Sequence, residues 1–303
     1  MSTSVRRTAA LTTASALLLA GCGSSGGGAQ AADGVDVVAA FYPLQWAAER
    51  VGGDRVDVTS LTPPGAEPHD LELTPQDVAA LSETDLLVYL EGFQPALDDA
   101  AAEAGDAAWD AGQAADLTPA TDGDDHGDGE AVDPHFWLDP TRLADVGDAL
   151  ADRLGDVDPD GAATYKQNAA ALRSDLEALD AEMEQGLADC AVRTVVTGHD
   201  AFGYLADRYG LEVVGVTGLS PSAEPSAAQL AEISALVRER GVTTVYTETL
   251  ADPAVAETVA REAGVQTAVL DPIEGLTDES AGSDYLEVMR ADLATLRAGQ
   301  ACA

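Results

Sequence analysis

Residues 160–188 read DGAATYKQNAAALRSDLEALDAEMEQGLA. Tyr165, Ala169, Leu172, Leu176, Leu179, Met183 and Leu187 recur every three or four positions, which lines them up as one apolar stripe on a helix. At 1.5 Å per residue such a helix spans roughly 40–45 Å, the width of a small domain. On both sides of it the chain alternates short β-rich runs with helical stretches. The segment therefore decides the fold: a rigid strut between two lobes of similar construction.

Before the strut, the strand candidates are 35–43, 55–63 and 85–91, with a weak fourth at 107–115. Helical stretches separate them, one of which opens at Thr74-Pro75, a side-chain cap followed by proline at the first helical position. After the strut the strands are 193–198, 211–218, 242–249 and 266–272, with helices near 200–209, 226–240, 253–264 and 282–299. Strands alternating with helices imply α/β lobes, each a mostly parallel four-stranded sheet with helices on its faces. The expected boundaries are 35–157 for the first lobe, 158–189 for the linking helix and 190–303 for the second lobe. Residues 121–130, TDGDDHGDGE, form an acidic, glycine-rich loop inside the first lobe.

The formal net charge is −39, from 15 Lys and Arg against 54 Asp and Glu. That balance argues against nucleic acid, whose phosphates need clustered cations. It suits a cationic ligand, whose local concentration it raises, although solubility or a salty habitat accounts for it equally well. Residues 1–21 read as a signal peptide, with Arg6 and Arg7 ahead of a short apolar run. Its end, Leu19-Ala20-Gly21-Cys22, resembles the lipobox of bacterial lipoproteins, which implies lipid on Cys22 and a flexible tether over 22–34. The two remaining cysteines, Cys190 and Cys302, form an even pair in an exported chain and suggest a disulfide, with two free thiols as the alternative.

The chain has four histidines. His69 follows the second strand in PPGAEPHDLELTP, His135 sits in the stiff loop DPHFWLDP (133–140), and His199 ends the first strand of the second lobe in TGHDAF. Asp271, in LDPIEG, ends the last strand. All four lie at the carboxyl ends of strands, where open parallel sheets bind ligands. Three imidazoles and a carboxylate fill a tetrahedral divalent site. No H-E-x-x-H or other hydrolase signature accompanies them. The competing reading makes each histidine a core residue with satisfied nitrogens and Asp271 a turn cap before Pro272. Glu248, at another strand end, is an alternative carboxylate. Asp70, Asp133 and Asp200 stand beside the histidines, placed to orient the rings or to cap loops. His126 is a solvated loop residue or a weak metal collector. Trp46, Phe136 and Trp137 are read as walls that exclude water.

FYPLQWAAERVGG, PPGAEPHDLELTPQDVAAL, DPHFWLDP, TGHDAFGYLADRYGL, SPSAEPSAAQL and LDPIEGL follow one another in this order. With them the chain, from Cys22 onward, resembles the metal-binding receptor lipoproteins of zinc and manganese ABC uptake systems. The resemblance implies two Rossmann-like lobes, a long linking helix and a metal in the cleft held by His69, His135, His199 and Asp271. It implies a cysteine pair at Cys190 and Cys302, an ABC permease and its ATPase as partners, a monomer anchored at the membrane through Cys22, and no catalysis. Three histidines favour Zn2+ over Mn2+ as the transported ligand. The stretch that is histidine-rich in many zinc members is reduced here to His126. An adhesin of the same fold and a metallohydrolase are the alternative functions.

Overall fold

A computed structural model describes residues 34–118 and 132–303. The signal peptide, Cys22, nearly all of the tether and His126 lie outside the described residues.

The first lobe runs β1 (Val35–Ala39), α1 (Tyr42–Gly52), β2 (Val56–Ser60), α2 (Pro75–Leu81), β3 (Leu86–Tyr89), α3 (Pro95–Ala104), β4 (Ala108–Asp110), α4 (Gly112–Ala115) and α5 (Pro140–Val157). The linking helix is α6 (Ala162–Leu187). The second lobe runs β5 (Thr194–Thr197), α7 (Gly203–Tyr209), β6 (Glu212–Gly215), α8 (Ala227–Glu239), β7 (Thr244–Thr247), α9 (Ala254–Ala263), β8 (Gln266–Val269) and α10 (Tyr285–Gly299). Each lobe holds a four-stranded sheet, with orders β2-β1-β3-β4 and β6-β5-β7-β8, and every pairing is parallel. In both sheets the connections from the two inner strands, β1 and β3 or β5 and β7, diverge, which opens a crevice at their carboxyl ends.

Local sequence dictates these elements. The inner strands VDVVA, LLVY, TVVT and TVYT are almost wholly buried, as strands covered on both faces must be. Helix α2 starts where expected: Thr74 Oγ1 accepts from the Asp77 amide, and Asp77 returns the bond to the Thr74 amide. Strand β4 is shorter than the 107–115 run suggested. Asp110 Oδ1 accepts from the Gly112 amide at 2.9 Å and folds the chain out of the sheet into α4.

All seven stripe residues of α6 are buried. The helix packs on α1 and α5 of the first lobe and on α7 and α10 of the second. Arginines from both lobes staple it: Arg50 of α1 to Asp175 at 2.6 Å, Arg208 of α7 to Asp180 at 2.5 Å and Arg290 of α10 to Glu182 at 2.8 Å. One apolar cluster joins both lobes through this strut. At the junction Trp137 Nε1 donates to the Pro272 carbonyl at 2.8 Å, Tyr285 Oη donates to the Trp137 carbonyl at 2.5 Å, and Trp46 stacks on Tyr285 at 4.8 Å.

Cys190, just past α6, is disulfide-bonded to Cys302, just past α10, across a sequence separation of 112. The bridge closes most of the second lobe into a loop. Replacing both cysteines by serine is expected to cost about 2–5 kcal/mol of unfolding free energy, checked by denaturant titration without reductant. An unchanged midpoint would mean that the lobe holds its closure by packing alone.

Candidate metal centre

His69 lies in the single helical turn Pro68–Asp70, after β2. The Glu67 carboxylate accepts from the His69 amide at 3.1 Å and so caps that turn, while Pro68 presets its first residue. The ring packs edge-on against Phe93 at 4.5 Å.

His135 is completely buried. Asp133 Oδ1 accepts from both its amide, at 2.9 Å, and its ring Nδ1, at 2.8 Å. His199, equally buried, follows β5 and is clamped the same way. Glu248, just past the neighbouring strand β7, accepts from the His199 amide at 2.8 Å and from ring Nδ1 at 2.5 Å. This clamp explains the glycine of TGH: a Cβ at Gly198 would stand 2.6 Å from Glu248 Oε1. An ionised carboxylate only accepts, so Nδ1 carries the proton in both rings. When such a ring is neutral it presents the Nε2 lone pair on the opposite side, ready for a cation; when it is charged it presents an N–H there.

On that side stands Glu274. Its Oε1 lies 3.2 Å from His69 Nε2, 3.2 Å from His135 Nε2 and 3.3 Å from His199 Nε2. One ligand atom from each of the four residues fits within a 4.8 Å span. A tetrahedron with bonds of about 2.0–2.1 Å has edges of about 3.3–3.4 Å, so the three edges that meet at Glu274 already have the dimensions of a zinc site. The His199 Nε2 approach lacks hydrogen-bond alignment, which leaves that buried nitrogen unpartnered. A buried polar atom in this condition calls for a ligand.

The charges fit the same reading. Burial pushes the Glu274 carboxyl up, but the three imidazoles outweigh it and hold the group well below the usual carboxylate range. Burial opposes charge on His199, yet Glu248 and Glu274 lift it to about 10. Burial opposes charge on His135 too, and there Asp133 and Glu274 prevail. At His69 burial prevails and lowers it. Burial, joined by the Glu274 charge, pushes Glu67 up to about 8. A pocket that draws positive charge onto buried rings is one that a divalent cation can neutralise without protons.

Asp271, expected as the fourth donor, is not in the cluster, and Glu274 holds that place. Asp271 is turned away because its oxygens are engaged locally: Oδ1 accepts from the Ile273 amide at 2.8 Å and Oδ2 from Thr249 Oγ1 at 2.7 Å. Between the two acids Ile273 adopts φ +58, and this reversal aims Glu274 inward. Glu248 and Asp133 bind the back of the rings. Asp70 accepts from Ser222 Oγ at 2.6 Å and thereby links the loops of the two lobes. Asp200 is buried, its amide donating to the Gly218 carbonyl at 3.0 Å. Two acids escaped sequence reasoning: Glu274, visible only as the second acid of LDPIEG, and Glu67, two residues before His69 in AEPH.

The family described as zinc-uptake complex component A, periplasmic, matches residues 37–299. The zinc-binding lipoprotein AdcA of Streptococcus pneumoniae is 37% identical over 296 residues, covering 93% of this chain, which spans only 58% of that protein's length. The high-affinity zinc uptake system protein ZnuA of Bacillus subtilis is 34% identical over 298 residues and 93% of both chains. Among solved structures, the Zn(II)-bound ZnuA-like domain of S. pneumoniae AdcA has a TM-score of 0.74 at 35% identity, covering 88% of this chain and 99% of its own. A mutant of the laminin-binding adhesin of Streptococcus agalactiae has a TM-score of 0.79 at 32% identity, covering 88% of this chain and 100% of its own. On the family match and these identities, the chain belongs to the family of the periplasmic component A of zinc-uptake complexes.

Proposed function

We propose that this chain is the extracytoplasmic receptor of an ABC importer, which takes a zinc ion between its lobes and delivers it to a permease driven by an ATPase. The observation that carries this reading is the meeting of one donor atom each from His69, His135, His199 and Glu274 within 4.8 Å, with the three spacings to Glu274 close to tetrahedral edges. Zinc accepts imidazole nitrogen and carboxylate oxygen in that geometry, whereas oxygen-rich sets suit manganese, the alternative cargo. Four protein donors fill the shell and reserve no position for a reactive water. The centre is therefore suited to holding an ion, and we read the chain as a receptor without enzymatic activity. Relatives named for zinc binding and zinc uptake support the cargo and the transport role.

The lipid on Cys22 would fix the receptor to the outer face of the cytoplasmic membrane, with 22–34 as its leash. Within it, 35–157 and 190–303 act as monomeric jaws on the strut 158–189. Because Trp137, Tyr285 and α6 bind both lobes together, release needs a local opening of loops, with the lobes nearly fixed. Adhesion is a second reading, supported by the likeness to laminin-binding structures. Retention on laminin by variants unable to bind zinc would favour it.

Competitive zinc titration of the exported chain tests the reading. We expect one ion per chain, and a loss of about 100-fold or more in affinity for each of His69→Ala, His135→Ala, His199→Ala and Glu274→Gln. Wild-type affinity in any of these would remove that residue from the ligand set. Small-angle scattering should give nearly the same radius of gyration with and without zinc, and a large contraction would contradict the fixed lobes.

A further inference from the structure

The loop that carries Glu274 is built against its own preferences. Ile273 is β-branched, fully buried and in the left-handed region at φ +58. That region disfavours branched side chains, which adopt it only where the surroundings impose it. Two carboxyls do so in series. At the end of β8 the Leu270 amide makes the last ladder bond, to the Thr247 carbonyl at 2.9 Å. The next amide, that of Asp271, turns from the sheet to α10, where Asp292 Oδ1 accepts it at 3.0 Å. Asp271 Oδ1 in turn accepts from the Ile273 amide at 2.8 Å, and its Oδ2 from Thr249 Oγ1 at 2.7 Å. Thr249 adjoins Glu248, the residue that clamps His199.

Asp292 is 3% exposed, and its Oδ2 has no hydrogen-bond partner among the described residues. A buried acid with one idle oxygen is a poor stabiliser of a helix face. What the side chain does among the described residues is accept the one bond at Oδ1.

We infer that Asp292 and Asp271 are positioning residues for the metal: Asp292 fixes Asp271, Asp271 fixes the reversed backbone at Ile273, and the reversal sets Glu274 among the imidazoles. Through Thr249, Asp271 also ties the Glu274 loop to the Glu248 loop, so that both carboxylates of the second lobe hold one register. This deepens the proposed zinc reading and rests on it.

The test is a double-mutant cycle on the exported chain, read by zinc competition and by the visible spectrum of bound Co2+. Asp292→Ala is expected to weaken zinc by about 10–100-fold and to dim the tetrahedral Co2+ bands. Asp292→Asn, which keeps Oδ1, should stay within about threefold of wild type with the bands intact. In a Glu274→Gln background, Asp292→Ala should add no further loss, because its effect passes through Glu274. Equal losses in both backgrounds, or a lowered melting temperature with unchanged affinity and spectrum, would overturn the inference and leave Asp292 merely structural. An Asp292→Ala chain that does not fold is replaced in the same cycle by Asp271→Ala, with the same outcomes. If Glu274→Gln alone leaves zinc affinity unchanged, the ligand assignment fails first, and the positioning role falls with it.

Discussion

The structure turns on one buried negative charge. Glu274 is enclosed by protein, and an isolated carboxylate there would cost several kcal/mol or neutralise itself. Instead it stays ionised because three imidazoles, with His135 and His199 drawn toward their charged form, turn ring nitrogens on a single oxygen. Their far nitrogens are fixed where the fold can spare acids, Asp133 for His135 and Glu248 for His199. The result is a shell of donors with a deficit of positive charge at its middle. A divalent cation fits that deficit in size, charge and coordination preference.

The rest of the fold keeps this shell from collapsing or drifting. Two rings come from the first lobe, and one ring and the carboxylate from the second, so donor spacing depends on how the lobes meet. The strut α6 and the Trp46–Tyr285–Trp137 contact hold that junction with packing and hydrogen bonds rather than with a flexible hinge. Rigid sheets put His199 and Glu248 at the ends of adjacent inner strands, at the switch point where parallel sheets of this kind leave a crevice. Preorganisation of this sort lowers the ordering cost of capture, and it places the burden of release on loops.

Much of this was legible in residue order. The stripe from Tyr165 to Leu187 marked the strut, since nothing but a long helix aligns those seven side chains. The three histidines were found because each ends a strand-loop unit, and backbone topology alone brings such positions together. Glu274 was not found. Whether residue 271 or residue 274 faces the cleft depends on the sign of φ at Ile273, and an isoleucine there argues against the reversal that occurs. Tertiary bonds to Asp271 override local preference, and no pattern of hydrophobicity records them. Glu248 was legible as a nearby acid, but its role is set by Gly198, whose missing Cβ admits it behind the His199 ring. The shortening of β4 likewise came from one side-chain bond, that of Asp110 to the Gly112 amide.

The central claim is the identity of the donors around the ion. X-ray absorption fine structure at the zinc edge of the loaded protein measures it most directly. The account predicts a four-coordinate shell of three imidazole nitrogens and one carboxylate oxygen, at about 2.0–2.1 Å. A shell with fewer than three imidazoles, with sulfur, or with five or six oxygens would contradict it.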